Sequence, residues 1–139
     1  MYDPGISVVK EAHIANQAAD IRAMHDPTEG GLATGLYELA KVSNTGVIIY
    51  EEKIQYLEET RILCCEYKLD PLGVIASGAL LIVVDPDERE AVLSKLEQND
   101  IECSVIGKLT DKEDGLKIII DGETRELPYF EVDEITKVI

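Results

Sequence analysis

Met24-His25-Asp26-Pro27-Thr28-Glu29-Gly30-Gly31-Leu32-Ala33 is the stretch on which the fold turns. Residues 20–25 ahead of it read as a short strand. Residues 25–31 are a cluster of turn formers. Behind them Leu32, Leu36, Leu39 and Ala40 recur at i, i+4, i+7 and i+8, the stripe of an amphipathic helix. The result is a strand–turn–helix joint. A helix start presents bare N–H groups and the positive end of the helix dipole. Gly30 and Gly31 leave room there for a ligand to reach the backbone. That suits a phosphate or another anion, and His25 can orient it or move a proton. A purely conformational reading stands beside this one: Asp26 capping the loop, Thr28 as the helix N-cap, and the glycines serving only the turn. No Lys follows the glycines, so the loop is not a Walker A motif.

Working outward, helices and strands alternate. Residues 7–17 predict a helix, with Val8, Ala12, Ala15 and Ala19 on one stripe and Ser7 as cap. The helix after the glycines ends at Ser43-Asn44-Thr45-Gly46, with Gly46 as its terminal glycine. Residues 47–54 are β-branched and aromatic, hence a strand, and 56–69 read as a helix. A turn at Asp70-Pro71-Leu72-Gly73 leads through a kink at Gly78 to a buried strand at 79–84. Asp85-Pro86, with Glu88 three residues after Asp85, starts another helix that Asn99-Asp100 stops. Strands follow at 103–109 and 116–120. Asp121-Gly122 signals a hairpin into 123–127, and a last short helix starts at Asp133. The fold class is α/β or α+β, helices packed on a β-sheet of mixed direction.

Composition narrows the function. The chain has 139 residues, one domain's worth, enough to bury a core without disulfides or a metal. It carries 28 acidic against 13 basic residues, a formal charge of −15, and a mean hydropathy of −0.03. That balance argues against nucleic acid and anionic lipid as partners. It leaves a nucleotide substrate open. No apolar run reaches the ~18 residues of a membrane helix, and the N-terminus has no signal-peptide pattern. Three cysteines, Cys64, Cys65 and Cys103, make no disulfide framework, which points to a reducing cytoplasm. His13 and His25 have no zinc-like spacing, so no structural metal is expected.

Other candidates are weaker. Ala76-Ser77-Gly78 is a small-residue break ahead of a strand, able to bring backbone near a ligand or simply to bend. Glu51 and Glu52 are adjacent strand residues facing opposite ways, so they make no acid–base pair. Cys64 and Cys65, among Ile62, Leu63 and Tyr67, read as core packing, and His13 as a boundary residue.

Residues 24–33, with Leu36, Glu38-Leu39-Ala40 and Ser43…Gly46-Val47, resemble the signature of the C-terminal domain of the AIR synthase superfamily, closest to its HypE-like hydrogenase maturation branch. Glu51-Glu52-Lys53-Ile54, Leu69-Asp70-Pro71-Leu72, Ser77-Gly78, Ile106-Gly107 and Asp121-Gly122 extend the resemblance to about residues 3–127. It implies an ATP-dependent enzyme that phosphorylates or dehydrates an amide- or carbonyl-type oxygen. In that family ATP and Mg2+ sit mainly on an N-terminal domain that also makes the dimer. Residues 1–139 then correspond to the substrate-side C-terminal domain alone, inactive by itself, with the N-terminal domain absent and a boundary at Met1–Gly5. Its partners would be that ATP-binding domain, a second copy as homodimer, and a small-molecule or protein-carbonyl substrate. The resemblance gives His25 and Asp26 catalytic places and Thr28, Gly30, Gly31, Ser77 and Gly78 substrate- or phosphate-binding ones, all toward the interdomain cleft. Three departures bear on this. The chain ends Thr136-Lys137-Val138-Ile139 where HypE proteins end in a reactive Cys, so dehydration on that tail is not expected. Ser77 stands where a Glu is usual, and Thr28-Glu29 where Thr-Arg is. The rival expectation is a free-standing binding or regulatory module that kept the fold without catalysis.

Overall fold

The computed structural model describes residues 5–139, so the expected boundary at Met1–Gly5 falls almost wholly outside them. The chain divides into two compact units, each assembled from separated stretches. One holds the chain up to Asp26 together with Ser77–Ser104; the other holds Pro27–Ala76 and Val105–Ile139.

The first unit is two helices and a two-stranded ribbon. Its elements are α1 (Val9–Ala18), β1 (Ala23–His25), β3 (Leu81–Val83) and α4 (Arg89–Glu97). β1 runs antiparallel to β3, with Ala23 opposite Val83 and His25 opposite Leu81. The core is Ile14 and Ala15 of α1 against Val92 and Leu96 of α4, flanked by Met24, Ile82 and Val84. The apolar stripe of α1 is therefore centred on Ile14 and Ala15. Ser7 does not cap this helix: α1 begins at Val9, Val8 holds the cap position, and no side chain bonds there. Asp85 does not cap either, because its carboxylate is taken by Arg22 at 2.6 Å. The Pro86–Glu88 segment is a 3-10 turn leading into α4.

The second unit is built on a four-stranded sheet. Its strands are β2 (Gly46–Tyr50), β4 (Gly107–Thr110), β5 (Leu116–Ile120) and β6 (Glu123–Glu126), in the order β4-β2-β5-β6. β2 is parallel to β5 and antiparallel to β4, so the sheet is mixed, as its alternating elements predict. Val47, Ile49 and Ile118 are its most buried side chains. Asp121 and Gly122 both have positive φ, 52° and 80°, the two-residue turn that matches strand twist. The helices are α2 (Gly31–Ser43) and α3 (Glu58–Tyr67). α2 buries Ala33, Leu36 and Ala40. It ends at Asn44 in the left-handed conformation (φ 56°), so Gly46 opens β2 rather than closing the helix. β2 stops at Tyr50, and Glu51–Lys53 form a 3-10 turn instead of continuing the strand. Only Cys64 of the adjacent pair is core; Cys65 is exposed, and so is His13. Among the described residues no helix is long and apolar enough to cross a membrane.

Candidate functional site

The residues of loop 25–31 are divided between the units: His25 and Asp26 belong to the first, Thr28 to Gly31 to the second. Ser77 and Gly78 belong to the first unit.

In the first unit, His25 closes β1 opposite Leu81 and is half-buried, while Asp26 is exposed. Ser77 is half-buried. Gly78 has φ 99° and is open, with Ile6 Cα, at 3.5 Å, the nearest atom a Cβ there would meet.

In the second unit, Pro27 is fully buried and fixes the chain as it leaves β1. Thr28 is exposed, and it does not cap α2 as the sequence suggests. The cap residue is Gly30, in the left-handed conformation, and no side chain bonds there from within the loop. The Thr28 carbonyl instead accepts the N–H groups of Gly31 at 3.1 Å and Ala76 at 3.2 Å.

The two glycines answer a steric need of the chain itself. A Cβ on Gly31, at φ 66°, would lie 2.6 Å from the Val74 carbonyl oxygen and closer still to that of Leu72. One on Gly30, at φ 76°, would lie 2.6 Å from Thr34 Oγ1 and 2.8 Å from the Phe130 carbonyl oxygen. The space they leave is thus filled by the chain itself. Ala33 N–H, in the first turn of α2, also donates to Leu72 O at 3.0 Å.

The decisive residue at this helix start was not visible from the loop. Asp133 lies at 7% exposure and accepts the Gly30 N–H at 2.9 Å with one oxygen. Its other oxygen caps the 3-10 turn Glu134–Lys137 through Ile135 N–H at 3.0 Å. The neighbouring Glu134, at 6% exposure, accepts Asp70 N–H at 2.9 Å. That bond, then the Lys137 ammonium, hold its carboxyl below the ordinary glutamate range against the effect of burial. The Asp70 carboxylate accepts Leu72 N–H at 2.9 Å and so shapes the turn on which Gly31 rests. The available signal was Asp133 as a helix start; its reach back to Gly30 was not encoded locally. Among the described residues no group of three or more His, Cys, Asp or Glu side chains is placed to hold a metal ion.

Comparison with known proteins matches residues 6–119 to the description "AIR synthase related protein, C-terminal domain". The carbamoyl dehydratase HypE of Rhizobium leguminosarum bv. viciae is 40% identical over 96 residues, covering 68% of this chain and 27% of that protein. A HypE–HypF complex aligns at 28% identity with a TM-score of 0.78, over 88% of this chain and 41% of that one. HypE in complex with ATP aligns at 28% identity with a TM-score of 0.74, over 83% and 37%. The chain spans about a third or less of the length of the curated relatives it matches. It belongs to the family of AIR synthase related protein C-terminal domains, and its resemblance to the HypE branch holds in both sequence and fold.

Proposed function

We propose that these residues are the substrate-side domain of an ATP-dependent, cytoplasmic enzyme that activates an amide- or carbonyl-type oxygen, and that they do not turn over ATP alone. The observation that carries this is the family membership across residues 6–119, with relatives described as carbamoyl dehydratases and as HypE bound to ATP. Removing water from an amide requires its oxygen to become a leaving group, and phosphoryl transfer supplies one. Among the described residues no group of three or more His, Cys, Asp or Glu side chains is placed to hold a metal ion; in this reading ATP and Mg2+ belong to an ATP-binding half of the kind the longer relatives have room for. That half, a second copy and a HypF-like protein are the proposed partners.

On this chain the work is binding and proton handling. His25 orients the substrate or takes its proton, and exposed Asp26 aligns the same group. Ser77 and Gly78 in the first unit, and Thr28, Gly30 and Gly31 in the second, each contribute anion- or substrate-contacting backbone in this reading. His25→Ala and Asp26→Ala, in the protein that includes the ATP-binding half, should each lower turnover by roughly 10²–10⁴-fold with the fold retained. Full activity per folded molecule in both variants overturns this assignment, and Mg2+-dependent ATP turnover by residues 1–139 alone overturns the division of labour.

One observation favours the rival reading of a binding or regulatory module. The Gly30 amide is held by Asp133, and the Gly31 amide by Thr28. A module of this kind would keep the loop as a conformational joint.

A further inference from the structure

We propose that residues 129–137 form a releasable clasp over the start of α2, in which the Asp133 carboxylate competes with an incoming phosphate-type anion for the Gly30 amide. This rests on the reading of loop 25–31 as an anion site. Every contact involved lies within the second unit.

The clasp has two charged anchors and two aromatic ones. Asp133 accepts from Gly30 N–H, and Glu134 accepts from Asp70 N–H while giving its own N–H to Gly73 O at 3.0 Å. Lys137 pairs with Glu134 at 2.5 Å. Upstream, the Thr34 hydroxyl donates to Phe130 O at 3.2 Å, and the Phe130 ring lies where a Cβ on Gly73 would be only 2.5 Å from it. The Tyr129 ring packs on Tyr37 with centroids 4.6 Å apart.

Two features distinguish this from ordinary packing. The segment lies wholly beyond residues 6–119, the stretch matching the family, yet it reaches back to the family's own loop. It is also held by carboxylates on backbone amides, while Tyr129 and Val132 stay exposed. A segment that buries few apolar side chains opens locally well below the cost of global unfolding. A carboxylate presents the same charge sign and the same acceptor oxygens to an N–H group as a phosphate does.

The experiment uses the 139-residue chain, amide hydrogen exchange by NMR, and pyrophosphate as the probe. The variants are Asp133→Asn, Glu134→Gln and, as a charge-matched control on the exposed hairpin turn, Asp121→Asn. Both clasp variants should speed exchange of the Phe130 amide by roughly tenfold while leaving Ile118 of β5 unchanged. Both should also shift the Gly30 and Leu32 resonances at about fivefold lower pyrophosphate than the wild type or the control. Glu134 does not touch Gly30, so the gain in E134Q reports release of the whole segment. Unchanged Phe130 exchange in E134Q overturns the clasp. Faster exchange with equal pyrophosphate affinity in all four proteins overturns the competition. Faster exchange with no pyrophosphate response in any protein shows instead that the loop is no anion site, and the competition fails with it.

Discussion

Asp133 completes the start of a helix whose cap residue lies 103 residues earlier, through the 2.9 Å bond from the Gly30 amide to its carboxylate. Most helices find this acceptor in the cap residue itself. Here the cap is a glycine, which the left-handed turn requires, and the acceptor comes from the end of the chain. The same carboxylate caps its own 3-10 turn, so one side chain closes two helical starts.

Truncating that side chain should cost more than losing a surface acid. A hydrogen bond to a charged group contributes about 1.5–3 kcal/mol, and Asp133→Ala leaves the buried Gly30 amide without an acceptor. For a chain of this size the melting temperature should fall by roughly 5–10 °C. Asp133→Asn keeps an acceptor oxygen and should fall less, and Asp121→Asn should move hardly at all. Thermal melts of the three variants decide it; equal melting for D133A and D121N contradicts the role.

Gly31 should tolerate substitution far less than Gly122. Both have positive φ, 66° and 80°, so alanine carries about 1–2 kcal/mol of left-handed strain at either. At Gly122 a Cβ meets nothing within 4 Å, whereas at Gly31 it runs into the carbonyls of Leu72 and Val74. Those carbonyls are backbone and cannot swing aside, which adds about 1–3 kcal/mol. Denaturant midpoints for Gly31→Ala and Gly122→Ala compare the two directly, and equal losses would show that the 72–74 turn yields.

The sequence was legible where the signal was local. The alternation of elements, the stripe on α2 and the Asp121-Gly122 turn all depend on residues within a few positions of each other, and the structure follows them. Local rules failed where a distant partner outbid them. Asp85 has the right position to cap a helix, but Arg22, 63 residues away, takes its carboxylate. Thr28 looks like an N-cap, but its carbonyl is used to tie Gly31 and Ala76, and Asp133 satisfies the amide Thr28 would have served. Cys64 and Cys65 are indistinguishable in an apolar run, and only the pitch of α3 decides which one faces inward. At the candidate loop, residues 25–31 stand out by their residue types, whereas the two buried acids that hold the loop do not. Asp and Glu are ordinarily surface residues, and nothing near Asp133-Glu134 marks them as buried.

Acid should loosen the Glu134 contact before it unfolds the sheet. The Asp70 amide and Lys137 hold the Glu134 carboxyl below its ordinary value of about 4.3. A carboxyl with a depressed folded value adds stability that is fully present above the unfolded value and is lost as pH falls through the folded one. The wild type should therefore melt higher than Glu134→Gln at pH 7, with the gap closing below about pH 4. The Asp70 amide and the Lys137 ammonium both sit at this carboxyl, and the gap between the two proteins isolates its own share. A gap that persists unchanged to pH 3 would rule out the charge as its source.

Alkylation should separate the three cysteines. Cys65 is exposed on α3, while Cys64 is buried one residue earlier and Cys103 is half-buried beside the Leu93 carbonyl. Burial, then the charges of Asp70 and Glu134, push the Cys64 thiol up; burial, then Glu97, does the same for Cys103. The thiolate is the reacting species, so both should be protected by access and by protonation together. Iodoacetamide at pH 7.5, followed by peptide mass spectrometry, should label Cys65 first, with Cys64 and Cys103 slower by roughly tenfold or more. Adding Asp133→Asn tests how far the C-terminal turn shields this part of α3. Ile135 and Val138 line a small apolar hollow with Leu63, Cys64 and Tyr67. If that turn is released, Cys64 labelling should accelerate while Cys103, in the other unit, stays as slow as before. Acceleration of both would mean global opening, and acceleration of neither would mean that α3 protects Cys64 without help from the chain's end.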